Sequence, residues 1–285
     1  MRIAIYGRSR QQDYLEPLAA FFDKLASMGI DIVMHKKIYD TLIHTMPLHM
    51  AAVKQVVSTP DFTADVALSI GGDGTFLRTA KWVGDKEIPI LGINTGTLGY
   101  LSRASITELS DVADELYAAN FKIECRSLIE VAAPQLPTWP FALNEVALSR
   151  NEYSSIISAE TLINGAPLAV YRSDGILLAT PTGSTAYNLS VGGPIIQPSA
   201  PVWALSPVAA HSLGMRPLVL SDNSKVTIKV EGRSETFRLA LDGRNVILPI
   251  GTTVELRKAP FVVKLIARPG HGFTSALREK LHWNE

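Results

Sequence analysis

The sequence predicts an α/β domain followed by a β-rich domain, with a final helix able to return to the first. Three observations predict this. The chain has 285 residues, beyond the usual size of one compact domain. Strand and helix signals alternate over roughly the first 120 residues, at the spacing of βαβ units. From about Phe121 that rhythm gives way to short β-rich runs, and a helix pattern returns only at Ser275 to Leu281, after Pro269-Gly270.

Ile3 to Tyr6 is a brief β-rich run ending at Gly7. Asp13-Tyr14-Leu15-Glu16 has the form of a capping box, and Leu15, Leu18, Ala19, Phe22, Leu25 and Ala26 follow it with helical spacing. Gly29 stands where that helix would stop, and Ile30 to Met34 reads as the next strand. Val66 to Ile70 and Ile88 to Ile93 are two buried-strand candidates. Ser105-Ile106-Thr107-Glu108 is a second capping box, opening a helix with Leu109, Val112, Ala113 and Leu116 on its apolar face. The later β-rich runs are Phe141 to Leu148, Ala159 to Ile163, Ile176 to Ala179, Leu218 to Leu220, Val226 to Val230, Phe237 to Leu241 and Val254 to Leu256. Pro, Gly, Asn or Ser separates them, as in a β-sandwich or another layered β-domain. The domains are set at residues 1–122 with 258–285, and 123–257.

Hydrophobic residues make up 47% of the chain, enough for two cores. The 27 basic and 27 acidic residues balance, which argues against nucleic acid as a partner, since phosphate-backbone binding needs a net basic surface. A local pocket for a small anion stays open. Cys125 has no second cysteine to bridge, and no Cys/His cluster has zinc spacing. No apolar run approaches the ~20 residues of a membrane span, and the strand-like start is too short for a signal peptide. A cytoplasmic protein without a membrane partner is expected. His211 and His271 stand alone and read as structural.

Chemistry concentrates in four segments. In the first, the strand Ala67-Leu68-Ser69-Ile70 runs into Gly71-Gly72-Asp73-Gly74-Thr75 and then into a helical stretch. Glycines let a polyanion approach the backbone closely, and the helix start offers free N–H groups and partial positive charge to phosphate. Asp73 repels phosphate, so it suits a proton acceptor or a contact to a ligand hydroxyl or magnesium. Capping the helix is the plainer alternative. In the second, Asn94-Thr95-Gly96-Thr97-Leu98-Gly99-Tyr100-Leu101 follows the next strand. Two such loops at adjacent strand ends suggest one crevice, although this loop alone also fits a surface turn with Tyr100 packed on the core.

In the third, Asn144-Glu145 interrupts an apolar run. Ribose hydroxyls would suit Glu145, while the solvent face of an edge strand explains the pair equally. In the fourth, Arg172-Ser173-Asp174-Gly175 leads through Ile176 to Ala179 into Thr180-Pro181-Thr182-Gly183-Ser184-Thr185-Ala186-Tyr187-Asn188-Leu189-Ser190. Its hydroxyls can bind a ligand and Tyr187 can stack; an ordinary polar loop is the alternative.

Taken together, these segments closely resemble the NAD kinase family. The resemblance rests on Gly71 to Thr75, the Asn94 to Leu101 loop, Asn144-Glu145, and Asp174-Gly175 through Tyr187, in order and spacing over nearly the whole chain. Lipid kinases and phosphofructokinases carry similar glycine-aspartate loops; the Thr182 to Tyr187 run with Asn144-Glu145 is what makes the match specific. The resemblance implies a Rossmann-like first domain, a β-sandwich-like second domain and a site between them. It implies phosphorylation of the adenosine 2′-hydroxyl of NAD to give NADP. ATP would be the phosphoryl donor and Mg2+, or another divalent cation, would bridge its phosphates.

Asp73 is then the candidate general base, and Gly71, Gly72, Gly74 and Thr75 the phosphate loop. Asn144 and Glu145 would hold ribose or adenine, and Asp174, Thr182, Thr185, Ala186 and Tyr187 the rest of the nucleotide, with Arg172 beside them. Tyr100 stands where the family usually has an aromatic. Asp242, of Asp242-Gly243, matches a position near the ligand, and Ser190 falls one turn beyond Tyr187, where it could instead cap a helix. No metal ligand is assigned among protein residues. The family's site is completed across subunits, which implies a homodimer or homotetramer. A kinase for a lipid or sugar acceptor, and a non-catalytic NAD(P)-sensing module, are the alternatives. No amphipathic basic helix supports the first, and the intact Asp73 loop speaks against the second.

Overall fold

The computed structural model describes residues 1–7, 14–96, 99–119, 121–151, 156–268, 270 and 272–283. The chain divides into two units, Met1–Cys125 with Val263–Glu285, and Arg126–Val262.

The first unit runs β1 (Arg2–Gly7), α1 (Leu15–Ser27), β2 (Asp31–His35), α2 (Lys36–Thr45), β3 (Val53–Val57), β4 (Val66–Ile70), α3 (Asp73–Val83), β5 (Ile90–Asn94), β6 (Ser102–Ser105) and α4 (Leu109–Tyr117). Its strands are parallel in the order β3-β2-β1-β4-β5, with β6 beyond β5. β4 and β5 are buried at every position, as strands covered on both faces must be. The strand order reverses between β1 and β4, and in such sheets ligands bind at the carboxyl ends of the strands at that point. The residues leaving β4 there are Gly71, Gly72 and Asp73.

Helix α1 buries Leu18, Phe21, Phe22 and Leu25. Gly29, at φ 68°, turns the chain out of it, and β2 starts one residue later than expected. Asp13 of the expected capping box lies outside the described residues; Tyr14 makes no side-chain cap bond. The second capping box is present: Ser105 N–H donates to Glu108 Oε2 (2.6 Å), and Thr107 N–H to Ser105 Oγ (3.3 Å). It opens a 3-10 turn that runs into α4, whose Leu109, Val112, Ala113 and Leu116 are buried.

The chain continues through β7 (Lys122–Ala132), β8 (Phe141–Ala142), β9 (Glu145–Arg150), β10 (Ile157–Ile163), β11 (Ala166–Ser173), β12 (Gly175–Ala179), α5 (Tyr187–Ser190) and β13 (Val202–Val208). Then come β14 (Leu218–Ser221), β15 (Val226–Gly232), β16 (Thr236–Leu241), β17 (Arg244–Pro249), β18 (Thr253–Ala267) and α6 (Phe273–Lys280). The second unit has one antiparallel sheet ordered β14-β13-β12-β9-β16-β17 and another containing β11, β10, β15 and the start of β18. Val146, Leu148, Leu178, Trp203 and Leu239 from the first sheet share one core with Ile157, Ile228, Val254 and Leu256 from the second, which makes a β-sandwich.

Three expectations change. The run Phe141 to Leu148 is not one strand: it breaks after Ala142, and β9 begins at Glu145. Nor does Asn144-Glu145 open an edge strand, because β9 pairs with both β12 and β16. β18 is far longer than Val254 to Leu256. Its end pairs in parallel with β5 through Leu265 and Ile90, and with α6 it belongs to the first unit.

Candidate functional site

In the first unit, Gly71 leaves β4 at φ 146°, a conformation suited to glycine, and a Cβ there would press on Thr75 Oγ1 at 2.5 Å. Gly72 precedes α3, and its carbonyl accepts from Thr75 N–H (2.7 Å) and Phe76 N–H (3.2 Å). Asp73 is therefore the first residue of α3, where the helix dipole favours a negative charge. Its carboxylate does not turn back to cap the helix. It reaches the neighbouring loop, accepting Tyr100 N–H at 2.9 Å and Leu101 N–H at 3.1 Å. A Cβ on Gly99 would overlap that carboxylate, so both loops the sequence singled out meet at Asp73.

Around them, Asn94 bonds both polar backbone groups of Gly96. Arg103, 2% exposed, donates to the Tyr100 carbonyl at 3.3 Å. Lys280 of α6 lies 5.7 Å from the centre of the Tyr100 ring. Burial, and then the Asp73 charge, push the Tyr100 hydroxyl above its ordinary pKa. Thr75 is fully buried, and Arg78, one turn on, approaches its hydroxyl at 3.5 Å. Thr97 and Leu98 lie outside the described residues.

In the second unit, Asn144 and Glu145 stand at the break between β8 and β9. Thr182–Thr185 forms a 3-10 turn after β12, and Tyr187–Ser190 the short helix α5. Gly183 packs so closely on the Asn144 carbonyl that a Cβ has no room. Ser184 Oγ bonds the Pro181 carbonyl (2.7 Å) and accepts Ile196 N–H (3.0 Å); Asn188, fully buried, bonds the Pro194 carbonyl and Ser206 Oγ. This buried polar net sets the turn while Tyr187 stays 42% exposed, its ring open to stacking. Ser190 ends α5 and is exposed, so it does not begin a helix as a cap.

Glu145 has the most altered acidity in this group. Burial first, and then the nearby Asp242 charge, raise its carboxyl to about 7, against the opposing Tyr187 N–H bond. One of its oxygens, Oε2, is buried without a hydrogen-bond partner. Asp242 carries its carboxylate to the backbone N–H groups of Leu143 (2.8 Å), Asn144 (2.7 Å) and Glu145 (3.2 Å). Burial pushes the Asp242 carboxyl up, while these three donors and Arg244 favour its charged form.

Arg172 and Asp174 are not in this group. Glu145 stands opposite Ala179 at one end of the β9–β12 pair, and Asp174 precedes Gly175 at the other. Five residues of strand separate them, about 16 Å. Asp174 instead pairs with Arg150 at 3.0 Å, and Arg172 is an exposed residue of β11. Sequence reasoning gave no separate role to Thr180, Gly99 and Arg103, which touch Asn144, Asp73 and Tyr100, or to Asn188, which fixes the turn. Thr180, Asn188 and Gly99 stand within the motif segments, and Arg103 carried no signal.

A glycine-aspartate loop at the switch point of a parallel sheet in one unit, and in the other a hydroxyl-rich turn built against an amide-carboxylate pair, fit a phosphotransferase acting on a nucleotide. Comparison with known proteins makes this particular. Residues 7–121 match the ATP-NAD kinase N-terminal domain, and residues 143–268 the ATP-NAD kinase C-terminal domain. The chain is 41% identical to a NAD kinase of Bacteroides fragilis over 99% of this chain and 98% of that one. It is 39% identical to a NAD kinase of Porphyromonas gingivalis, over the same shares of the two chains. The chain therefore belongs to the ATP-NAD kinase family, and its activity is ATP-dependent phosphorylation of NAD. The fold agrees. A yeast NADH kinase complexed with NADH superposes with a TM-score of 0.88 at 24% identity, covering 100% of this chain and 88% of that one. A NAD kinase from Archaeoglobus fulgidus in complex with ATP gives 0.73 at 22% identity, covering 95% of each chain.

Proposed function

We propose that Asp73 is the general base of the reaction, taking the proton of the adenosine 2′-hydroxyl of NAD as the γ-phosphoryl group of magnesium-bound ATP is transferred to it. The observation that carries this reading is the place of Asp73, at the head of α3 and at the switch point of the sheet, with its carboxylate fixed by two N–H groups. Each carboxylate oxygen has a second lone pair, so the two bonds orient Asp73 without using up its capacity to accept. Phosphoryl transfer needs positioning and charge stabilisation more than covalent help. Gly71, Gly72, Gly74 and Thr75 supply the backbone and helix start for the phosphates. Magnesium enters with ATP as part of the substrate. Among the described residues no group of three or more His, Cys, Asp or Glu side chains could hold a metal ion.

The second unit supplies the nucleoside contacts: Asn144 and Glu145 for ribose or adenine, Thr182, Thr185 and Ala186 along the turn, Tyr187 for stacking, and Ser190 beyond it. Tyr100, in the first unit, is assigned to the nucleotide by the family resemblance alone. Arg172, near the end of β11, and Asp174, just before β12, serve the site of a second copy, and the working enzyme is a homodimer or homotetramer. Among the described residues no helix is long and apolar enough to cross a membrane, and a cytoplasmic setting fits the family's substrates.

The test is NADP formation from NAD, ATP and magnesium by the parent and by Asp73→Asn. The variant should keep its melting temperature and NAD binding while turnover falls at least ~100-fold, the scale of losing a general base. A folded Asp73→Asn enzyme with near-parent turnover removes Asp73 from that role.

A further inference from the structure

Between β8 and β9 two residues, Leu143 and Asn144, leave the sheet ladder, and Glu145 begins the next strand; their backbone groups would be left without partners if nothing supplied them. Asp242 and Thr180 supply them. All three N–H groups, of Leu143, Asn144 and Glu145, donate to the Asp242 carboxylate. The Leu143 carbonyl accepts from Thr180 Oγ1 at 2.5 Å, the Asn144 carbonyl from Thr180 N–H at 2.9 Å, and the Glu145 carbonyl from Asp242 N–H at 3.1 Å. Six backbone polar groups are thus satisfied by Asp242 and Thr180.

The brace is itself fixed. Asp242 and Gly243 form the two-residue connection between Leu241 and Arg244, at φ 47° and 76°. Both positive values suit a tight hairpin turn, and Asp is among the few side chains that tolerate one. The register of β16 on β9, Leu241 against Val146, then sets where the carboxylate falls. On the other side Gly183 N–H donates to Thr180 Oγ1 at 3.1 Å, tying the brace to the hydroxyl-rich turn.

We propose that Asp242 and Thr180 are positioning residues, which hold the 143–145 backbone so that Asn144 and Glu145 present their side chains to the nucleotide. This rests on the reading of Asn144 and Glu145 as nucleotide contacts, and it moves Asp242 from ligand contact to support. The Asp242 charge also favours the protonated form of Glu145, giving that carboxyl a proton to offer a ligand oxygen.

The experiment is steady-state kinetics of the full-length enzyme with NAD and ATP varied separately, and calorimetric NAD binding, for Asp242→Asn, Thr180→Val, Thr180→Ser and Asn144→Ala. Asparagine leaves one acceptor oxygen where three N–H groups converge. Asp242→Asn should raise the KM for NAD about 10-fold or more, the scale of a displaced substrate contact, with the KM for ATP within about twofold. Thr180→Val should shift the same way, and Thr180→Ser, which restores the hydroxyl, should return close to the parent. If Asp242→Asn does not fold, the Thr180 pair decides alone. A raised KM for NAD in Asn144→Ala with parent-like Asp242→Asn and Thr180→Val sinks the brace and leaves the nucleotide contacts standing. Equal losses in Thr180→Ser and Thr180→Val also sink it, by assigning the effect to packing. An unchanged Asn144→Ala brings down the contact assignment and the brace with it.

Discussion

Glu145 carries a carboxyl into surroundings where its charged form is costly, and that cost has a measurable sign. Its pKa rises from 4.5 to about 7 in the folded chain. A carboxyl raised by folding favours the native state while protonated, and the favour is lost as pH climbs from the unfolded value through the folded one. In the ligand-free enzyme, Glu145→Gln should therefore melt above the parent at pH 8, by at most about 3 kcal/mol. The gap should close toward pH 4.5. Thermal melts of both proteins across pH 4.5–8 check it, and a gap constant with pH would mean the carboxyl stays charged throughout. At this scale the sequence showed the Asn144-Glu145 pair because polar residues in an apolar run stand out. It could not show that Glu145 is buried by the folded sandwich, nor that the charge of Asp242, 97 positions away, stands beside it.

At the scale of elements, legibility followed the strength of the local pattern. β4 was read at its true bounds because Val66 to Ile70 is a continuous buried run, and α4 because the Ser105–Glu108 box and four apolar residues agree. Helix α2 was missed because it buries only Ile38 and Leu42 and is capped by His35, an unusual cap. β3 was missed because Val53-Lys54-Gln55-Val56-Val57 is only half-covered. The end of β18 was missed because its register comes from β5, far away in sequence. That end carries a residue of consequence. Arg268 donates to both Glu115 oxygens, at 2.7 and 2.8 Å, and to Glu108 at 3.0 Å. Glu108 also closes the capping box, so one guanidinium ties the start of α4 to its second turn. Lysine has the charge without the fork. Arg268→Lys should lower unfolding free energy by about 1 kcal/mol, the worth of a charge-assisted bond to partners that solvent partly screens, seen as a lower urea midpoint. An unchanged midpoint would show that the network is replaceable by charge alone.

For the whole molecule, the order of domains and the return of α6 to the first unit could be read from the change of rhythm near Phe121 and the last helical pattern. What one chain's sequence could not show is that its motif residues would be parted: Asp174 lies in the same motif run as Thr182 and Tyr187, yet five strand residues from Ala179 and Glu145. A β-strand carries its two ends apart, so the ends of a motif written through β12 lie about 16 Å from each other. If Asp174 completes the nucleotide site of a second copy, two damaged chains can repair each other. In a dimer of Asn144→Ala with Asp174→Ala, one site receives both defects and the other none. At NAD concentrations well below the variants' KM, each variant alone should turn over far more slowly than the parent. Unfolding and refolding an equal mixture should restore activity to about a quarter of the parent's, since half the dimers are mixed and each holds one intact site. A mixture no more active than its components would place the role of Asp174 within its own chain, through the ion pair with Arg150.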